Sequence, residues 1–125
     1  MEFTDLHPAV TFRLYTDQKC FGPGVAMLMR RVRTLHSLRS AAIDMDMAYS
    51  KAWTILRDAE RGLGFKLLHS TTGGRNGGGA SLTEQGERLL EAYDACEREL
   101  REHGKRLFME HLDAFTGEPP EPDKL

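Results

Sequence analysis

Tyr49, Ser50, Lys51, Thr54 and Arg57 are spaced so that one helix brings them to one side, while Ala52, Leu56 and Ala59 recur at offsets of 4 and 7 on the other. Such an apolar stripe seats a helix on a core and leaves its polar side in solvent. Hydroxyls, a phenol and two cations are the groups that reach base edges in a major groove and the phosphates beside it. A second cluster follows at residues 71–80, where Gly73, Gly74, Arg75 and Asn76 lie in a run rich in glycine. Without side chains the backbone of such a run approaches phosphates closely, and Arg75 and Asn76 can reach a phosphate or a groove. It is not a nucleotide-binding loop, because no Gly-Lys-Ser/Thr closes it and it joins two strands.

Other chemistry finds less to rest on. Histidines 7, 36, 69, 103 and 111 have no metal-ligand spacing with a carboxylate or cysteine partner, so neither metal nor cofactor is expected. No Ser-His-Asp, Cys-His or paired-carboxylate arrangement stands out, and the chain reads as a non-enzyme. Cys20 and Cys96 are far apart and are expected as reduced thiols of a cytoplasmic protein. Nothing resembles a membrane span or a secretory signal, so no membrane partner is expected.

The elements that must hold these clusters follow from periodicity. Val10, Phe12 and Leu14 alternate with polar neighbours, which predicts a half-buried strand over 10–16. Gly22-Pro23-Gly24 breaks the chain, and Val25, Leu28, Met29, Val32 and Leu35 then predict a first helix to about His36. A short helix over 38–45 presents Leu38, Ala41, Ala42 and Met45 inward, the two alanines allowing a neighbouring helix to cross closely. Asp46-Met47 makes a tight turn, with Asp46 in the left-handed region. The third helix covers about 49–61, and Gly62 and Gly64 end it. Trp53 is expected to be partly buried in a packing role. Met27, Met29, Met45 and Met47 are expected to fill the core. Strands over 66–70 and 80–82 enclose the glycine run, and Thr83 caps a long last helix.

This order predicts a mainly α fold with a small β-hairpin: a winged helix-turn-helix with a long C-terminal dimerisation helix. The expected organisation is a DNA-binding body over 1–82, a helix over 83–115 and a disordered tail over 116–125. Charge is divided unevenly. The whole chain carries −2, but residues 10–81 hold eleven cations and five anions, whereas residues 82–125 hold six and twelve. A cationic body with an acidic end suits a polyanionic partner on one side only.

The stretch from Gly22 to Glu91 resembles the N-terminal DNA-binding domain of the ModE family of molybdate-responsive regulators, within the wider LysR-like winged-helix group. The likeness rests on FGPG at 21–24, SAA at 40–42, AW at 52–53, TGG at 72–74, GGGA at 77–80 and LTEQG at 82–86. It implies a cytoplasmic transcriptional regulator that binds double-stranded DNA through the third helix and the wing. Three positions depart from the pattern. Asp46 occupies the turn position often held by Gly. Ala48 replaces the Ser expected to cap the third helix, leaving Asp46 as the substitute cap. His69-Ser70 replaces an acidic-basic pair and removes a cation. The resemblance is to a stand-alone DNA-binding domain without the molybdate-binding domain, so molybdate sensing is not carried over.

Leu89, Tyr93, Cys96, Leu100, His103 and Leu107 form a stripe at spacings of 4 and 3 along the last helix. Leu89, with Tyr93 beside it, is expected to close the core. Leu107 lies about 27 Å further on at ~1.5 Å per residue, beyond the reach of that lid. The stripe from Tyr93 through Cys96, Leu100, His103 and Leu107 is therefore expected to pair with a second copy, giving a homodimer on a two-fold operator. Two other readings compete: a winged-helix module that docks on a protein, and a regulator that binds a small effector at its dimer interface.

Overall fold

The computed structural model describes residues 6–71 and 79–115. They form two compact units, one of Phe12–Asp94 and one in which the N-terminal segment up to Thr11 joins the chain from Ala95 onward.

The first unit opens with β1 (Leu14–Tyr15), paired antiparallel with β2 (Lys19–Phe21). Burial does alternate over residues 10–15, as the sequence predicts, but only Leu14 and Tyr15 are paired. The expected strand over 10–16 is thus reduced to its end, because its partner is only three residues long and stops at Gly22-Pro23, where proline offers no N–H. β2 was not legible from periodicity, yet it places Phe21 in the core.

Pro23 starts α1 (Pro23–Leu35), which buries Val25, Ala26, Leu28, Met29 and Val32 and leaves Leu35 and Met27 exposed. The assignment of Met27 to the core is corrected: it lies on the outer side of the stripe, whereas Met29 is buried and Met45 and Met47 pack partly against the core. Ser37 accepts a hydrogen bond from the Ser40 N–H and caps α2 (Leu38–Asp44), which buries Leu38, Ala41 and Ala42. Asp46 turns the chain with φ 55°, and α3 (Tyr49–Leu63) follows. No side chain caps α3 at Ala48, so Asp46 makes the turn but does not serve as the substitute cap. Gly64 ends α3 in the left-handed region at φ 86°. Gly62 does not end it. It lies within the last turn, where a Cβ would collide with the Cβ of Cys20.

β3 (Leu68–Thr71) and β4 (Gly79–Leu82) form the hairpin after α3, with Leu68 opposite Leu82 and Ser70 opposite Ala80. Thr83 then caps α4 (Glu84–Leu112): its hydroxyl oxygen accepts the Gly86 N–H at 2.9 Å and donates to the Lys66 carbonyl at 2.7 Å. Within the first unit α4 buries Gly86, Leu90 and Tyr93. Leu89, expected as the lid, packs only partly against the core, and its neighbour Leu90 is the fully buried residue. The second unit contains the rest of α4 and a 3-10 turn at Asp113–Phe115. The tail over 116–125 lies outside the described residues. No helix among the described residues is long and apolar enough to cross a membrane.

Candidate nucleic-acid interface

Small residues bring α2 and α3 together. Ala41, Ala42 and Ala52 are all buried, and the Met47 N–H donates to the Ala42 carbonyl at 3.0 Å across the turn. Ala52, Leu56 and Ala59 hold α3 on the core, which turns Ser50, Lys51, Thr54 and Arg57 outward as exposed side chains. Thr54 donates its hydroxyl to the Ser50 carbonyl at 3.0 Å, a bond within the helix that leaves the oxygen able to accept.

Tyr49 is half-buried rather than fully outward. Its ring meets the Trp53 ring edge-on at 6.3 Å, and the Arg39 guanidinium of α2 sits 4.3 Å from its centroid. Trp53 is half-buried against the core, as expected for a packing residue, and carries the Arg57 guanidinium at 5.4 Å. Arg39 was not singled out by sequence reasoning, since a contact between two helices leaves no mark on the periodicity of either.

Cations elsewhere in this unit are mostly matched with carboxylates. Arg30 pairs with Asp94, Arg31 with Asp44 at 2.6 Å, Arg33 with Glu87 at 3.4 Å and Arg61 with Asp58 at 3.1 Å. Arg39, Lys51 and Arg57 make no ion pair among the described residues. The positive charge left without a carboxylate therefore includes the outward face of α3 and its border with α2.

The wing is tied to α3 at its base. The Glu60 carboxylate accepts the Leu67 N–H at 2.7 Å and the Leu68 N–H at 3.3 Å. On the other strand, the Ala80 N–H donates to the His36 carbonyl at the end of α1. Glu60 too went unnoticed in the sequence, where it reads as one more polar residue of a surface helix. Gly73, Gly74, Arg75 and Asn76 lie outside the described residues, while His69 and Ser70 on β3 are exposed.

The stripe expected to pair two copies divides. Tyr93 is spent inside its own unit: its ring stacks on Phe12 at 5.3 Å and meets Phe21 edge-on at 4.9 Å, and its hydroxyl donates to the Phe12 carbonyl. Tyr93 is thus almost wholly covered within the single chain, which leaves little of it to meet a partner. Cys96, Leu100, His103 and Leu107 are exposed, with Leu100 at 40% and Leu107 at 42%.

A short helix, a tight turn and a second helix with a polar outer face, followed at once by a hairpin, define a winged helix-turn-helix domain of the DNA-binding regulatory class. Residues 27–87 match the family of bacterial regulatory helix-turn-helix proteins of the lysR type. These residues are thus a LysR-type helix-turn-helix domain, and its homologues include ModE regulators. The transcriptional regulator ModE of Haemophilus influenzae is 37% identical over 76 residues, which is 61% of this chain and 30% of that protein. The DNA-binding transcriptional dual regulator ModE of Escherichia coli K12 is 31% identical over 86 residues, 68% of this chain and 33% of its own. The molybdenum-pterin-binding protein MopB of Rhodobacter capsulatus is 37% identical over 73 residues, 58% of this chain and 27% of that protein. The chain therefore spans about a third of the length of the curated relatives it matches.

Proposed function

We propose that this protein is a transcriptional regulator that binds double-stranded DNA as a homodimer on a two-fold operator. The observation that carries the reading is the outward face of α3, where Ser50, Lys51 and Thr54 stand exposed beside Arg57 and neither cation is neutralised by a carboxylate among the described residues. In this reading α3 enters the major groove, Ser50, Lys51 and Thr54 read base edges, and Tyr49 and Arg57 lie nearer phosphates. The wing, with Gly73, Gly74, Arg75 and Asn76, follows the neighbouring backbone.

Dimerisation is assigned to the exposed part of the α4 stripe, Cys96, Leu100, His103 and Leu107, with Tyr93 removed from it. Pairing covers two leucines that are otherwise left in water, and a two-fold operator requires two recognition helices about one DNA turn, ~34 Å, apart.

Binding of labelled genomic fragments across a salt series tests the function, because only a protein that releases phosphate counterions shows a steep salt slope. Within that assay Lys51→Ala and Thr54→Ala should each cost roughly 1–3 kcal/mol on a selected fragment and relax preference at one base position. Unchanged affinity in both variants would remove α3 as the reading element.

A further inference from the structure

We infer that Arg39 and Arg57 form a two-armed phosphate clamp, seated on the Tyr49–Trp53 aromatic pair, so that Arg39 is a DNA-backbone contact supplied by α2 rather than by the recognition helix. The inference rests on the DNA-binding reading above and adds to it a residue that the sequence did not point to.

The geometry is a continuous ladder. Arg39 stands over the Tyr49 ring at 4.3 Å, Tyr49 meets Trp53 at 6.3 Å with planes 81° apart, and Arg57 stands 5.4 Å from the Trp53 ring. Residues 49, 53 and 57 step by four, so the ladder runs along one edge of α3, and Arg39 reaches it from the helix packed alongside.

A guanidinium held against a ring face is attracted through its plane, while its N–H donors radiate in that plane. Attraction to the ring therefore positions the group without requiring the N–H donors that recognise a phosphate. An ion pair would do the opposite, and Arg30, Arg31, Arg33 and Arg61 all direct their donors at carboxylates. Arg39 and Arg57 are exposed, cationic, without a carboxylate among the described residues and restrained by the rings beneath them. Restraint before binding lowers the entropy lost when the contact forms. A purely structural role, joining α2 to α3, would use the same stacking, but it would not make DNA affinity depend on salt through Arg39.

The test uses the full chain and two probes, a genomic fragment selected by the wild-type protein and an unrelated mixed-sequence duplex. Arg39→Ala and Arg39→Gln are compared with wild type across a salt series, with thermal unfolding recorded for each. One phosphate contact contributes about 0.9 to the slope of log affinity against log salt, so its loss weakens binding roughly eightfold at about 0.1 M salt. The expected result is that loss on both probes alike, with Arg39→Lys keeping the slope near wild type. A second expectation concerns the support beneath the clamp. Tyr49→Leu should lose the Arg39 contribution to the slope, whereas Tyr49→Phe, which keeps the ring, should retain it. Wild-type slopes in both Arg39→Ala and Arg39→Gln, while Lys51→Ala binds more weakly, would overturn the clamp and leave the DNA reading standing. Absence of salt-dependent binding by the wild-type protein to either probe would overturn both.

Discussion

Glu60→Ala separates the wing from the recognition helix by removing one side chain. The Glu60 side chain is 13% exposed, and its carboxylate accepts two consecutive backbone N–H groups, from Leu67 at 2.7 Å and Leu68 at 3.3 Å. Leu67 is fully buried, so its N–H has no ready replacement from solvent. A hydrogen bond to a charged acceptor contributes ~1.5–3 kcal/mol, and leaving a buried donor unmade costs a similar amount. The Leu68 bond is longer and adds less. Lys66, 3.9 Å away with its side chain 79% exposed, contributes little. Taken together, Glu60→Ala should destabilise the protein by about 2 kcal/mol, which lowers the melting temperature of a domain this size by roughly 8–16 °C. Glu60→Gln keeps an oxygen acceptor but loses its charge, and should cost about 1 kcal/mol. Circular dichroism melts of the three proteins measure the series directly. An order other than wild type above Gln above Ala, or an Ala variant melting with wild type, would mean that this carboxylate does not secure the base of the wing.

The remaining predictions probe the core and the assembly. Gly86→Ala should destabilise by about 1–3 kcal/mol, because a Cβ there would stand 2.6 Å from the Leu67 carbonyl oxygen and 3.1 Å from Thr83 Oγ1; a denaturant midpoint equal to wild type would refute this contact. Tyr93→Phe should cost about 1 kcal/mol by leaving the Phe12 carbonyl without its hydroxyl donor, read from the same denaturation curves. Leu100→Glu combined with Leu107→Glu should give a folded monomer with much weaker operator affinity, since both side chains are exposed in the single chain and neither is needed for its core. Sedimentation showing an unchanged dimer in that double variant would place the interface elsewhere.

Much of this architecture is written locally in the chain. The 3.6-residue recurrence of apolar side chains specifies α1 and α3 and the sides they bury, because a helix with one apolar stripe has one favourable orientation on a core. Ala41 and Ala42 announce a close helix crossing, Asp46 a left-handed turn, Thr83 a helix start, and each is found in that role. These features depend on a residue and its near neighbours, so the sequence is sufficient for them. Tertiary structure decided the rest. Leu89 and Leu90 are adjacent and equally apolar, and the rotation of α4 about its axis, set by the Thr83 cap and the approach of Gly86 to Leu67, selected Leu90 for the core. Tyr93 sits on a stripe that suits either a core or a partner, and the rings of Phe12 and Phe21 claimed it. β2 is too short to show a period, and it exists because a neighbouring strand satisfies its backbone. Arg39 and Glu60 read in sequence as ordinary surface charges. Only packing brings one over the Tyr49 ring and the other to the Leu67 and Leu68 amides, because each contact joins elements whose separate periodicities carry no record of the other.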